Sequence, residues 1–168
     1  MTKDKKIVIG INGFGRIGSV VLRAILLEKY DVEVMAYCLM DNHFHMLLYQ
    51  ESDVSGVRYL LKSVMTAYTM YFNRRYKRSG YLFQGVFKAA RISNENYLLH
   101  ITRYIHMNPR SYLRYKWSSL SAYIGQSAPS WLTVIRPDDM PIEEYREFLR
   151  AYETRRAELK NITPDVVF

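Results

Sequence analysis

Two hydrophobic periods alternate along the chain. Residues 5–11 (KKIVIGI) form an apolar run of strand length, and 16–29 carries Val20, Val21, Ala24 and Ile25 at helical spacing. Residues 32–40 (VEVMAYCLM) and 43–50 are β-prone runs separated by Asp41-Asn42, a tight-turn pair, so they read as a hairpin. A second helix is expected over 54–75, where Val57, Leu60, Leu61, Val64, Met65 and Tyr68 share a face. A strand over 82–91, a helix over 94–107, a less regular region and a final helix over 141–160 complete the pattern. The last helix includes a charge-paired amphipathic stretch at 142–157. This βαββαβα order predicts an α+β, ferredoxin-like sheet with helices on it, followed by one extra helix. Residues 1–126 are expected to form one domain, opened by an atypical βα unit over 1–30, with 127–168 a C-terminal loop and helix packed on it.

Chemistry enters at His43-Phe44-His45. Helical positions i and i+2 diverge, whereas on a strand they project from the same face. Two imidazoles side by side at the start of a strand are a good geometry for two ligands of one divalent metal. Downstream, Tyr104 and Asn108 lie four apart, on one face of the 94–107 helix, with His100 a turn earlier. Pro109 disfavours helix at Asn108, so the helix should end where that amide is presented.

The surroundings of these residues resemble a family. The stretch YCLMDNHFHMLL is similar to the His-hydrophobe-His motif of the single-tyrosine transposases of the IS200-like group, especially their REP-associated relatives. YLFQGVFKA, YIHMNP and WSSLSAYIG resemble three further blocks of that family in the same order, the likeness running over about 32–125. The resemblance implies that Tyr104 attacks a DNA phosphodiester, leaving a 5′-phosphotyrosine and a free 3′-OH. It also implies that Asn108 helps His43 and His45 hold Mg²⁺ or Mn²⁺. The implied partner is single-stranded DNA with hairpin ends, handled by a monomer or a homodimer in the cytoplasm of a bacterium, at the nucleoid. Tyr97, Tyr112 and Tyr115 are the alternative tyrosines. Two departures stand out: Val86 occupies a position where relatives commonly carry Arg, and the segment after Asn108 is short.

Charge agrees with a polyanionic partner. Lys plus Arg number 24 against 16 acids, a formal +8 with pI near 9.5. Arg58, Lys62, Arg74, Arg75, Lys77 and Arg78 follow one another with no intervening acid, and Lys88 comes next; together they are the expected DNA contacts. Aromatic residues interleave with these cations, as single-strand binding uses. The single Cys38 excludes a disulfide framework and suits a reducing cytoplasm. No apolar run reaches the ~18 residues of a membrane span, and no signal peptide is evident.

One region points elsewhere. KKIVIGINGFGRIGSVVLRAI resembles the opening βα unit of glyceraldehyde-3-phosphate dehydrogenases, with a GxGxxG pattern at Gly13, Gly15 and Gly18. The likeness fades after about Glu28, and no catalytic-cysteine block follows. The alternatives to a transposase are therefore an NAD-binding protein built on this unit, or a basic DNA-binding domain silenced by it. The glycine turn is expected to be structural and to bind no dinucleotide.

Overall fold

Four strands pair in the order β2-β3-β1-β4, each antiparallel to its neighbours. They are β1 (Lys6–Asn12), β2 (Val32–Leu39), β3 (His43–Gln50) and β4 (Lys88–Ile92). The structure is a computed structural model that describes residues 6–12, 30–51, 56–92, 97–137 and 140–162. The helix expected over 16–29 and the glycine turn before it lie outside the described residues. The strand order is that of the ferredoxin-like arrangement, and the fold is α+β.

Strand alternation divides the sheet into two different faces. Phe44, Met46 and Leu48 of β3 point to one side, joined by Val34 and Leu39 of β2. Helix α1 (Gly56–Tyr76) covers that side with Val57, Leu60, Leu61, Val64 and Tyr68. His45 and Leu47 point the other way, in register with Cys38 and Ala36. A bulge between Val34 and Ala36 adds Met35 to this second face. Helix α2 (Leu98–His106) lies on it, Ile105 buried and Leu98, Ile101 and Tyr104 half-buried against the same cluster.

Local chemistry fixes the ends of α1. The Gln50 side chain at the end of β3 accepts a hydrogen bond from the Val57 N–H (3.0 Å), satisfying one orphan donor of the first turn. At the other end Lys77 takes φ 51°, and the Arg78 N–H reaches back to the Asn73 carbonyl (2.8 Å), a Schellman closure. The strand expected over 82–91 is shorter than that: only 88–92 pair with β1. Residues 82–87 are a loop because Leu82, Phe83 and Phe87 pack under α1 instead of alternating, while Gly80 and Gly85 adopt positive φ. The helix expected over 94–107 is assigned from Leu98 to His106, and Asn108 lies beyond its end.

The less regular region contains a short 3₁₀ turn (Tyr112–Arg114) and one helical turn, α3 (Leu120–Tyr123). It closes the edge of β2: the Leu39 N–H bonds the Trp117 carbonyl, the Ser119 N–H bonds the Tyr37 carbonyl, and the Thr133 N–H bonds the Val34 carbonyl. An edge strand so covered has few free groups left to template aggregation. Helix α4 (Ile142–Ile162) seats Tyr145 and Leu149 against Met107, Tyr112, Leu120 and Tyr123, forming a third cluster.

Candidate active site

His43 and His45 lie where the sequence spacing places them, adjacent on the α2 side of β3. Their rings meet edge to face, centroids 5.0 Å apart. The Tyr104 ring stands edge to face with His45 at 5.4 Å. The cause is simple: Ile105 and Ile101 are drawn into the second-face cluster, which turns Tyr104 of the same helix towards the start of β3. Phe44, between the two histidines, is buried on the opposite side under α1 and locks the strand's facing.

His45 is 5% exposed. Burial, and secondarily the charge of neighbouring His43, depress its pKa from the usual 6.5 to about 4. It is therefore neutral near pH 7, the form in which imidazole donates a lone pair to a metal. His43 Nδ1 lies 2.7 Å from Asn42 Oδ1. With the proton on Nδ1 donated to Asn42, the Nε2 lone pair is left for a cation, the outer support that metal-bound histidines ordinarily have. Asn42 was legible only as a turn residue; its bond to His43 depends on side-chain direction that spacing does not give. Cys38, in register with His45, is fully buried, and burial pushes its thiol up to about 12, so it stays protonated and is a poor ligand.

The hydroxyl of Tyr104 differs from those of Tyr112 and Tyr115. Tyr115 donates to the Leu39 carbonyl, and Tyr112 donates to Glu153 (3.4 Å) with its pKa raised by burial. Among the described residues no hydrogen bond engages the Tyr104 hydroxyl, and Tyr97 is exposed at the start of α2. Asn108 is close by, but its amide is turned back on the Tyr104 carbonyl at 3.5 Å. His100 does not join the histidine pair: its Nδ1 meets Arg103 (2.9 Å) and its ring packs on Phe148 of α4. His106 is wholly buried between Tyr145 (2.9 Å) and Ser119 (2.7 Å), and burial lowers its pKa to about 3. It is a structural link between α2 and α4. Among the described residues no third His, Cys, Asp or Glu joins His43 and His45.

The expected DNA-contacting cations are exposed but not together. Arg58 and Lys62 lie on α1, across the sheet from the histidines. Arg74, Arg75, Lys77 and Arg78 gather at the end of α1. Lys88 sits differently: it pairs with Gly10 on β1, and Gly10 pairs with His45 on β3. Directly paired residues share a sheet face, so Lys88, Gly10 and His45 form one row on the α2 side.

The site thus brings together a buried imidazole, His45, a half-buried one, His43, the Tyr104 ring and, in the same cross-strand row, Lys88. The family model described as "Transposase IS200 like" matches residues 18–108, more than half of the chain. The protein belongs to this family. Among solved structures, the chain is similar to a REP-associated tyrosine transposase bound to a REP hairpin, with a TM-score of 0.54 at 16% identity, covering 80% of this chain and 94% of that one. At that identity the likeness establishes the fold. The chain is also similar to the cytosolic glyceraldehyde-3-phosphate dehydrogenase of Sinapis alba, 67% identical over 33 residues. That stretch is 20% of this chain and spans only 10% of the dehydrogenase.

Proposed function

We propose that this protein is a metal-dependent, single-tyrosine strand transferase that cleaves single-stranded DNA near hairpin ends in transposition. The observation that carries the reading is the unengaged Tyr104 phenol packed edge to face against buried, neutral His45.

The Tyr104 oxygen attacks phosphorus, a P–O(Tyr) bond forms as the P–O3′ bond breaks, and the electron pair leaves on the 3′ oxygen. The phenol gives its proton to solvent and the 3′ oxygen takes one up, so the products are a 5′-phosphotyrosine and a free 3′-OH. The ester conserves the bond energy, and the reverse attack by a 3′-OH rejoins a strand without ATP. His43, His45 and Asn108 are the residues that would hold Mg²⁺ or Mn²⁺; the Asn108 amide now bonds the Tyr104 carbonyl. A divalent cation so held supplies charge stabilisation at the phosphate. Two imidazoles and an amide oxygen suit it, while structural zinc wants a closed four-ligand shell. Lys88 offers a phosphate contact in the row of His45, and the cations ending α1 offer more. The same chemistry serves a monomer or a homodimer, in a bacterial cytoplasm at the nucleoid.

The test is a covalent adduct. Incubated with Mn²⁺ and a hairpin-bearing single strand, the protein should form a complex that survives denaturation, with the phosphate mapped by mass spectrometry to Tyr104. Tyr104→Phe should abolish the adduct yet alter DNA binding by no more than a hydrogen bond's worth, roughly 0.5–1.5 kcal/mol. A phosphotyrosine at Tyr97, Tyr112 or Tyr115 would move the active site.

A further inference from the structure

The excess positive charge of this chain has one address. Between residues 56 and 92 there are eight Lys and Arg and no acid, while the chain as a whole carries +8, so the remainder is balanced. That segment comprises α1, the loop 77–87 and β4. Its cations are exposed, and the loop places an aromatic ring among them. Tyr81 is 97% exposed, against 52% for Tyr76 beside it.

Such exposure in a disordered tail would mean little, but this loop is held at several points. The Asn73 side chain donates to the Gly80 carbonyl (2.9 Å), and Leu82, Phe83 and Phe87 are half-buried against the α1 core. A phenol ring held out in water by a pinned loop costs apolar hydration that folding does not recover. The loop also leads to the site. Gln50 ties the first turn of α1 to one end of β3. The 21-residue helix, about 31 Å long, runs back over the sheet towards the end where β3 begins with His43. The chain then enters β4 at Lys88, in the cross-strand row of His45.

We propose that Tyr81 is a stacking platform for an unpaired base of the single strand delivered to the tyrosine site, with Arg75 and Arg78 on the flanking phosphates and Lys88 nearest the histidines. This rests on the strand-cleavage reading above, but concerns binding, which is measured without cleavage. Nucleic acid is the partner that fits because the segment 56–92 combines exposed cations with an exposed aromatic ring and contains no acid. A single strand fits better than a duplex, whose base faces are already stacked.

The experiment is fluorescence anisotropy with an end-labelled 20-nucleotide oligo-dT, and separately with a blunt duplex of equal length, in metal-free buffer. Tyr81→Ala is expected to weaken oligo-dT binding roughly 5- to 150-fold, the usual cost of a lost base–aromatic stack. Tyr81→Trp should restore it, and neither change should move duplex binding. So exposed a side chain can be replaced without unfolding the domain, which an unchanged melting curve checks. Unchanged oligo-dT affinity in Tyr81→Ala would overturn the proposal, and so would equal losses on single strand and duplex, or failure of Trp to restore. Tyr104→Phe serves as the separating control. If the Tyr81→Ala loss is seen but no phosphotyrosine forms in the parent, the platform stands and only the cleavage reading falls.

Discussion

β1 and β3 lie side by side in the middle of one sheet, and their sequences resemble different families. β3 carries the histidine motif of the transposases; β1 lies in KKIVIGINGFGRIGSVVLRAI, which resembles the opening unit of a dehydrogenase. What each strand contributes explains how both can serve one fold. β3 contributes particular side chains: His43 and His45 to one face, Phe44, Met46 and Leu48 to the other. β1 contributes backbone, pairing with β3 over Lys6 to Asn12 and with β4 over Lys6 to Gly10. Any apolar, β-prone run of the right length meets that second demand. Hence an apolar strand of unrelated sequence can stand in the centre of the sheet, whereas such a strand at β3 would remove His43 and His45.

The largest effect should come from breaking the backbone of β1. Ile9→Pro removes a ladder donor in a strand paired on both sides, where proline is essentially never found. We expect a loss upwards of ~3 kcal/mol and little folded protein. Ile9→Val, which keeps the strand, should retain both fold and cleavage. Circular dichroism melts and the adduct assay on the two variants check this, and an active Ile9→Pro protein would refute the placing of β1.

The complementary experiment is on β3. Replacing His43 and His45 together with Ala should leave the fold intact at a cost of about 1–3 kcal/mol, since the Phe44, Met46 and Leu48 face is untouched. Mn²⁺-dependent cleavage should fall by ~10²- to 10³-fold, the scale of losing a principal charge-stabilising group. Parent-like cleavage by the double variant would remove the metal-site assignment.

These two strands also show what was legible in advance. The strands at 32–40 and 43–50 follow from short apolar, β-prone runs about a turn pair, the helix over 56–76 from 3.6-residue spacing, and the common facing of His43 and His45 from the two-residue period of a strand. Tyr104 is legible as a residue of the YIHMNP block, and it is found beside His45. Less legible was everything set by long-range packing. The start of β4 depends on whether Phe83 and Phe87 alternate across a sheet or tuck under α1, and both choices fit the local sequence. The cations of α1 share one acid-free run, yet its helix crosses the sheet, so Arg58 and Lys62 lie behind the site while Lys88 joins its row. His100 sits at helical spacing from Tyr104 but turns to Phe148 of α4, far along the chain. Register, too, is hidden: nothing in the sequence says that Gly10 stands between His45 and Lys88.

The smallest expected effect is none at all, and it sharpens the comparison from the β1 side. A dinucleotide site needs more than a glycine turn after a strand. It forms at a switch point of a parallel sheet, where the turn and the following helix N-terminus open into a crevice beside parallel neighbours. Here both neighbours of β1 are antiparallel to it. One of them, β3, begins with His43 opposite Asn12, so the strand's end adjoins the histidine pair. The likeness to the dehydrogenase covers a tenth of that enzyme, too little to bring the residues that hold ribose and nicotinamide. Calorimetric titration with NAD⁺ should therefore give no heat of binding up to millimolar concentrations. A dissociation constant in the low micromolar range would show that the strand brought its ligand with it, and that β1 contributes more than backbone.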